Sequence, residues 1–82
     1  MKKDRFYCQI VSPRYFAEYH NVLRLYLPTP KGVMEVMAYH AETFTLLAQG
    51  EMVIVLFGKE KKKLKINQGE CHIQDNKVFV IL

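Results

Sequence analysis

Eighty-two residues, half of them apolar, with 12% aromatics and no Trp, and twelve Lys and Arg against eight Asp and Glu for a net +4, describe one small globular domain over residues 1–82. A chain of this length buries only roughly 60–65% of its unfolded surface, which excludes a second domain, and its composition is too apolar for disorder. No apolar run approaches the length of a membrane span, and the opening MKKDRFYCQIVSPRY is broken by Asp4, Gln9 and Pro13, so the expectation is a soluble, unexported protein.

In chain order, Phe6 to Val11 alternates as a strand must, with Phe6, Cys8 and Ile10 on one face, until Ser12-Pro13 stops it. Arg14 to Tyr19 is a second short strand with Tyr15, Ala17 and Tyr19 on one face and Phe16 and Glu18 on the other. His20-Asn21 is expected to turn the chain into Val22 to Leu27, where Leu23, Leu25 and Leu27 form the inner face. The two prolines of Pro28-Thr29-Pro30-Lys31-Gly32 remove ladder donors and predict an exposed turn. Val33 to Met37 and Thr43 to Ala48 are short extended pieces, with no 3.6-residue apolar stripe to support a helix between them. After a turn at Gln49-Gly50-Glu51, Met52 to Phe57 is a continuous apolar run, expected to be buried on both faces. Gly58 to Lys61 closes a hairpin onto Lys62 to Asn67, with Leu64 and Ile66 inward. Gln68-Gly69 makes a corner, Glu70 to Gln74 is a strand, Asp75-Asn76 is a two-residue hairpin turn, and Lys77 to Leu82 is the last strand. The pattern predicts an all-β fold, a small antiparallel sandwich or small barrel of eight to ten short strands.

The residues that carry chemistry form no catalytic set. His20, His40, His72, Cys8 and Cys71 lack any spacing that brings two ligands to one metal, and Cys71 and His72, adjacent on a strand, point to opposite faces. There is no phosphate-binding glycine pattern and no paired carboxylates on one element. No cofactor, no metal and no enzymatic activity are expected, and the cysteines are expected to be small buried hydrophobes. Five lysines between Lys59 and Lys65 concentrate the positive charge on one hairpin, where a solvated edge guarded against aggregation is the plain reading. The alternative is a small basic β-barrel binding single-stranded nucleic acid, which requires aromatics and lysines on one sheet face.

The stretch Leu27 to Gly50, LPTPKGVMEVMAYHAETFTLLAQG, resembles the central loop and strand of the epsilon subunit of rotary ATP synthases. Leu27, Pro28, Thr29, Gly32, Val36, His40, Ala41, Thr45 and Leu47 fall in the family's places, whereas Glu35, Ala38, Tyr39 and Glu42 depart from them. The tail KINQGECHIQDNKVFVIL is similar to the family's closing strands through Ile66, Gly69, Ile73, Asn76, Val78 and Val80, and QIVSP is similar to its opening, so the match is collinear over nearly the whole chain.

The resemblance implies a two-sheet β-sandwich acting as a non-catalytic rotor subunit of a proton-translocating ATP synthase, linking the gamma subunit to the c ring. It implies a gamma interface at Tyr39, His40, Ala41 and Thr43, and a c-ring-facing loop at Thr29, Pro30, Lys31, Gly32 and Val33. A plain reading of His40 is a turn histidine bonded to nearby backbone. Candidate aromatic anchors are Tyr7, Tyr15, Tyr19, Tyr26, Tyr39 and Phe44. No specific nucleic acid is expected as a partner, and membrane contact is expected only through the complex, on the cytoplasmic face of a bacterial inner membrane. In the family a C-terminal helical hairpin follows the sandwich and is associated with inhibition of ATP hydrolysis. This chain is expected to lack the hairpin and that inhibition.

Overall fold

The computed structural model describes residues 4–82, so Lys2 and Lys3 lie outside the described residues. Eight strands and no helix make up the described chain: β1 Phe6–Ser12, β2 Tyr15–Thr29, β3 Gly32–Val36, β4 Thr43–Leu47, β5 Gly50–Leu56, β6 Lys61–Ile66, β7 Gly69–Gln74 and β8 Lys77–Ile81. They follow one hydrogen-bonded path, β4-β7-β8-β1-β2-β5-β6, with β3 added to β2. The sheet curls until β4 meets β2 again, where the Ala48 amide donates to the Pro28 carbonyl at 2.9 Å. Every strand contributes to the one apolar core inside the curl.

Several expectations need correction. The all-β class and the strand count hold, but hydrogen bonding runs through a single curled sheet, and one of its pairings, β1 with β8, is parallel. Consecutive strands joined by tight turns must run antiparallel, whereas β1 and β8 are separated by nearly the whole chain and no turn fixes their direction. Nor are all the strands short. The chain passes through His20-Asn21 without turning, and β2 runs for 15 residues.

Two bulges let β2 do this. Phe6 pairs with Val22 but Cys8 with Tyr19, so three steps of β2 oppose two of β1. Val22 pairs with Leu56 but Arg24 with Val55, so two steps oppose one of β5. Each bulge moves the side-chain alternation by one residue and bends the strand. The inward series therefore becomes Val22, Leu25 and Leu27, and Leu23, assigned inward by simple alternation, lies on the outer side with Tyr26, Val53 and Val55. The first half of β2 lies beside β1 and its second half between β3 and β5.

Pro28, expected in an exposed turn, is buried within β2 opposite Val33. Its carbonyl points away from β3 to Ala48. Nitrogen and carbonyl of one extended residue share a side, so the missing N–H costs no bond to β3. Gly50, expected in a turn, starts β5 opposite Ile66, and glycine is required there because a Cβ would come within 2.7 Å of the Pro28 ring. Met52 and Ile54 are buried, but Val53 and Val55 are only half-buried. The expected two-sided burial fails because, among the described residues, no second layer covers the outside of β5.

Cys8 and Cys71 are free, fully buried thiols, and burial pushes both up to about 12 from an ordinary value near 9.0. The native protein should therefore leave both thiols unreactive toward an aromatic disulfide reagent at pH 8 and release two on denaturation. Because the folded state holds these protons more tightly, their contribution to stability is intact below pH 9 and falls as pH rises toward 12, which denaturant melts across that range will measure.

Candidate functional site

Inside the curl each strand is apolar, as any β core must be; the informative side is the outside of the arm β4-β7-β8-β1-β2. Register places Leu46, Glu70, Ile81, Val11 and Phe16 in one row across the five strands, and Phe44, His72, Phe79, Gln9 and Glu18 in the next. Phe16, Phe44, Leu46 and Ile81 are 61%, 57%, 57% and 44% exposed. Isolated exposed apolar side chains need no explanation, but four on one side of an arm, with half-buried Val11 and Phe79 between them, make a candidate docking face.

A polar seam crosses it. Tyr7 Oη donates to Glu18 Oε2 at 2.6 Å and accepts from Gln9 Nε2 at 2.9 Å, and the bond to Glu18 raises the tyrosine pKa. Tyr7 also packs against His20 and Phe79, with ring centroids 5.2 and 6.1 Å apart. Phe44 meets the His72 ring edge-on at 4.7 Å, and His72 Nε2 lies 3.1 Å from Glu70 Oε1. These contacts fix aromatic rings in place before any partner arrives, which lowers the ordering cost of binding.

The residues singled out in the sequence border this face. Tyr39 to Thr43 form the loop into β4. Tyr39 is exposed at φ 60°, a left-handed backbone that costs a tyrosine energy, and Asn76 holds it there. The Asn76 carboxamide accepts from the Tyr39 amide at 2.7 Å and donates to the Arg5 carbonyl at 2.9 Å. Asn76 itself sits with Asp75 in a two-residue turn, both at positive φ, as the tight hairpin demands. His40 Nδ1 lies 2.9 Å from the Ala41 carbonyl, which can only accept, so this nitrogen carries the proton in that bond. Thr43 Oγ1 donates to the same carbonyl at 2.7 Å. The ring of His40 thus organises its own loop.

Thr29 to Val33 form the β2–β3 hairpin tip. Thr29 Oγ1 donates to the Gly32 carbonyl at 2.7 Å and accepts from the Lys31 amide at 3.2 Å. Gly32 has φ +112°, which an L residue rarely adopts. Val33, just beyond, is 73% exposed. The tip stands beside β4, and a groove of about 350 Å³ between them is lined by Thr29, Pro30, Lys31, Phe44, Thr45 and Leu46. The structure therefore brings both sequence-derived patches to the two ends of one edge strand.

Of the candidate anchors, Tyr7 and Phe44 lie on the apolar face, Tyr39 on its rim, Tyr19 packs against the core, and Tyr26 is on the other arm. Phe16, Val11, Leu46, Phe79 and Ile81 were missed. The available signal was an apolar residue at outward positions of TFTLL and KVFVI, where a solvated face would alternate with polar ones.

The other arm has a different outside. Lys61, Lys63 and Lys65 pair with Val55, Val53 and Glu51, next to Arg24 and Tyr26. Tyr26 is the one aromatic in the groove there, and its hydroxyl donates to Glu35 at 3.1 Å while Arg24 lies 3.7 Å from the same carboxylate. A lysine row with a single, tethered ring makes no series of stacking platforms. Among the described residues no three His, Cys, Asp or Glu side chains converge as a metal site.

The sequence profile described as "ATP synthase, Delta/Epsilon chain, beta-sandwich domain" matches residues 5–82. The chain belongs to that family. Solved structures that share its fold include two ATP synthase assemblies. One is the Euglena gracilis mitochondrial ATP synthase, OSCP/F1/c-ring in rotational state 1, with TM-score 0.85, 23% identity, and coverage of 96% of this chain and 50% of that one. The other is the Tetrahymena thermophila mitochondrial ATP synthase central stalk and c-ring, with TM-score 0.79, 15% identity, and coverage of 99% and 65%. The chain thus spans between half and two thirds of the length of these relatives. No curated protein sequence matches it.

Within this delta/epsilon-type domain the Asn76 bridge is testable apart from its turn. Asn76→Gly keeps the positive φ but removes both side-chain bonds, and should cost about 1–3 kcal/mol. Amide exchange should accelerate at Tyr39 while the β7–β8 ladder stays protected.

Proposed function

We propose that this chain is a non-catalytic central-stalk subunit of a proton-translocating ATP synthase, seated between the gamma subunit and the c ring so that rotation of the ring turns the stalk. The observation that carries the reading is the outside of the arm β4-β7-β8-β1-β2 in a delta/epsilon-type domain, with Phe16, Phe44, Leu46 and Ile81 standing exposed on it. Such a face suits a permanent protein interface, where aromatic and aliphatic anchors supply most of the binding energy. The gamma subunit lies against it, and the rim residues Tyr39, His40, Ala41 and Thr43 extend the contact. The Thr29–Val33 tip faces the polar loops of the c ring, with Val33 as its protruding side chain. In this role the curled sheet acts as a two-layer sandwich, its arms braced across the shared core so that torque on one face is carried rigidly to the other. Support for the partners comes from the solved neighbours, which are a central stalk with its c-ring and an F1 with its c-ring. Peripheral attachment through the complex follows from the same reading. Its finer form, the cytoplasmic face of a bacterial inner membrane, belongs to the proposal too; both solved neighbours are mitochondrial.

The test is charge on the face. Phe44→Glu combined with Leu46→Glu should leave the isolated domain's melting temperature nearly unchanged, both sites being exposed, and should weaken co-purification with gamma by about a hundredfold or more. Lys63→Glu, on the opposite arm, should change it little. Loss of gamma binding with Lys63→Glu but not with the double variant would place the interface on the other arm.

A further inference from the structure

The hydrogen-bond pattern of β4 leaves one edge of the sheet open beside the apolar face. Asp75-Asn76 is a two-residue turn, so its flanking pair, Gln74 and Lys77, exchange backbone bonds, as do the alternate pairs His72 with Phe79 and Glu70 with Ile81. The intervening residues of β7, Ile73, Cys71 and Gly69, turn their main chain to β4 and meet Thr43, Thr45 and Leu47. Phe44 and Leu46 therefore direct N–H and C=O away from β7. Ala48, two residues beyond Leu46, confirms the parity, since its amide reaches in that direction to Pro28 at 2.9 Å. Phe44 and Leu46 find no backbone partner there among the described residues; Leu46 O accepts only a long bond from Thr45 Oγ1 at 3.4 Å.

The edges of the sheet are not treated alike. β6, at the other end of the path, carries Lys61, Lys62, Lys63 and Lys65, the charge that discourages a foreign strand. β4 is TFTLL, with no charge, no proline and no bulge in its pairing. Beside it lies the groove formed with the hairpin tip, with the Lys31 side chain on its far wall.

We infer that the β4 edge accepts an extended segment of the gamma-type partner as an added antiparallel or parallel strand, its main chain bonding Phe44 and Leu46, one side of it continuing the apolar face and an acidic residue meeting Lys31. This deepens the stalk reading and rests on it. Main-chain bonds supply affinity, and the neighbouring side chains select an apolar segment with an acid at one end.

Amide hydrogen exchange, followed residue by residue in the domain alone and in its complex with gamma, tests it. In the free domain Phe44 and Leu46 should exchange fast and Thr43, Thr45 and Leu47 slowly. In the complex the first two should slow by about tenfold or more. A complex in which Phe44 and Leu46 still exchange fast, or in which slowing spreads evenly over all five amides, overturns strand addition while leaving docking on the face intact. Failure of gamma to bind at all overturns both. As a second measurement, Leu46→Pro, which removes an outward donor at an edge position that tolerates proline, should weaken binding more than Leu46→Ala; equal effects would count against the inference.

Discussion

Strand β2 must serve two arms of the sheet at once, and the two bulges are what make that possible. A strictly alternating 15-residue strand presents one face throughout; to bend around a core it must change which side chains point inward. Three steps against two beside β1, then two against one beside β5, move the alternation twice and keep Tyr19, Val22, Leu25 and Leu27 on the inside. Without those bulges the apolar series would emerge on the outside of one arm, and β1 and β5 would have no common core to cover.

Because the arms share a core, their outsides are free to differ. One exposes Phe16, Phe44, Leu46 and Ile81 around a polar seam, with its rings pinned by Tyr7, Glu18, His72 and Glu70; the other presents a lysine row over a floor of Val53 and Val55. Lysine keeps the second in water, whereas the first leaves four apolar side chains for the proposed partner to cover. The hairpin tip at Thr29–Val33 and the loop at Tyr39–Thr43 frame this arm along β4, so the two proposed contacts need no separate binding modules.

Much of this was legible in the sequence. Alternation and one continuous apolar run located every strand but β2, which they split in two, Asp75-Asn76 announced its turn, and the ordered set of residues from Leu27 to Leu82 pointed to the family that residues 5–82 match. What local reasoning lost was non-local. His20-Asn21 has turn composition but is carried through by pairing on both sides, which no single window of sequence contains. Pro28 looks like a strand breaker until its neighbour across the sheet is known to need no bond from it. The apolar face was missed for a related reason: Phe16, Leu46 and Ile81 are far apart in sequence, and each alone passes for an ordinary exposed hydrophobe. Only the register through β7, β8 and β1 brings them into one row.

The most direct test of the central claim is side-chain footprinting by hydroxyl radicals on the isolated domain and on the assembled stalk. The account predicts that labelling at Phe16, Phe44, Leu46 and Ile81 falls on assembly while Tyr26, on the lysine-bearing arm, labels as before. Protection of Tyr26 with the four apolar residues still fully labelled would contradict it.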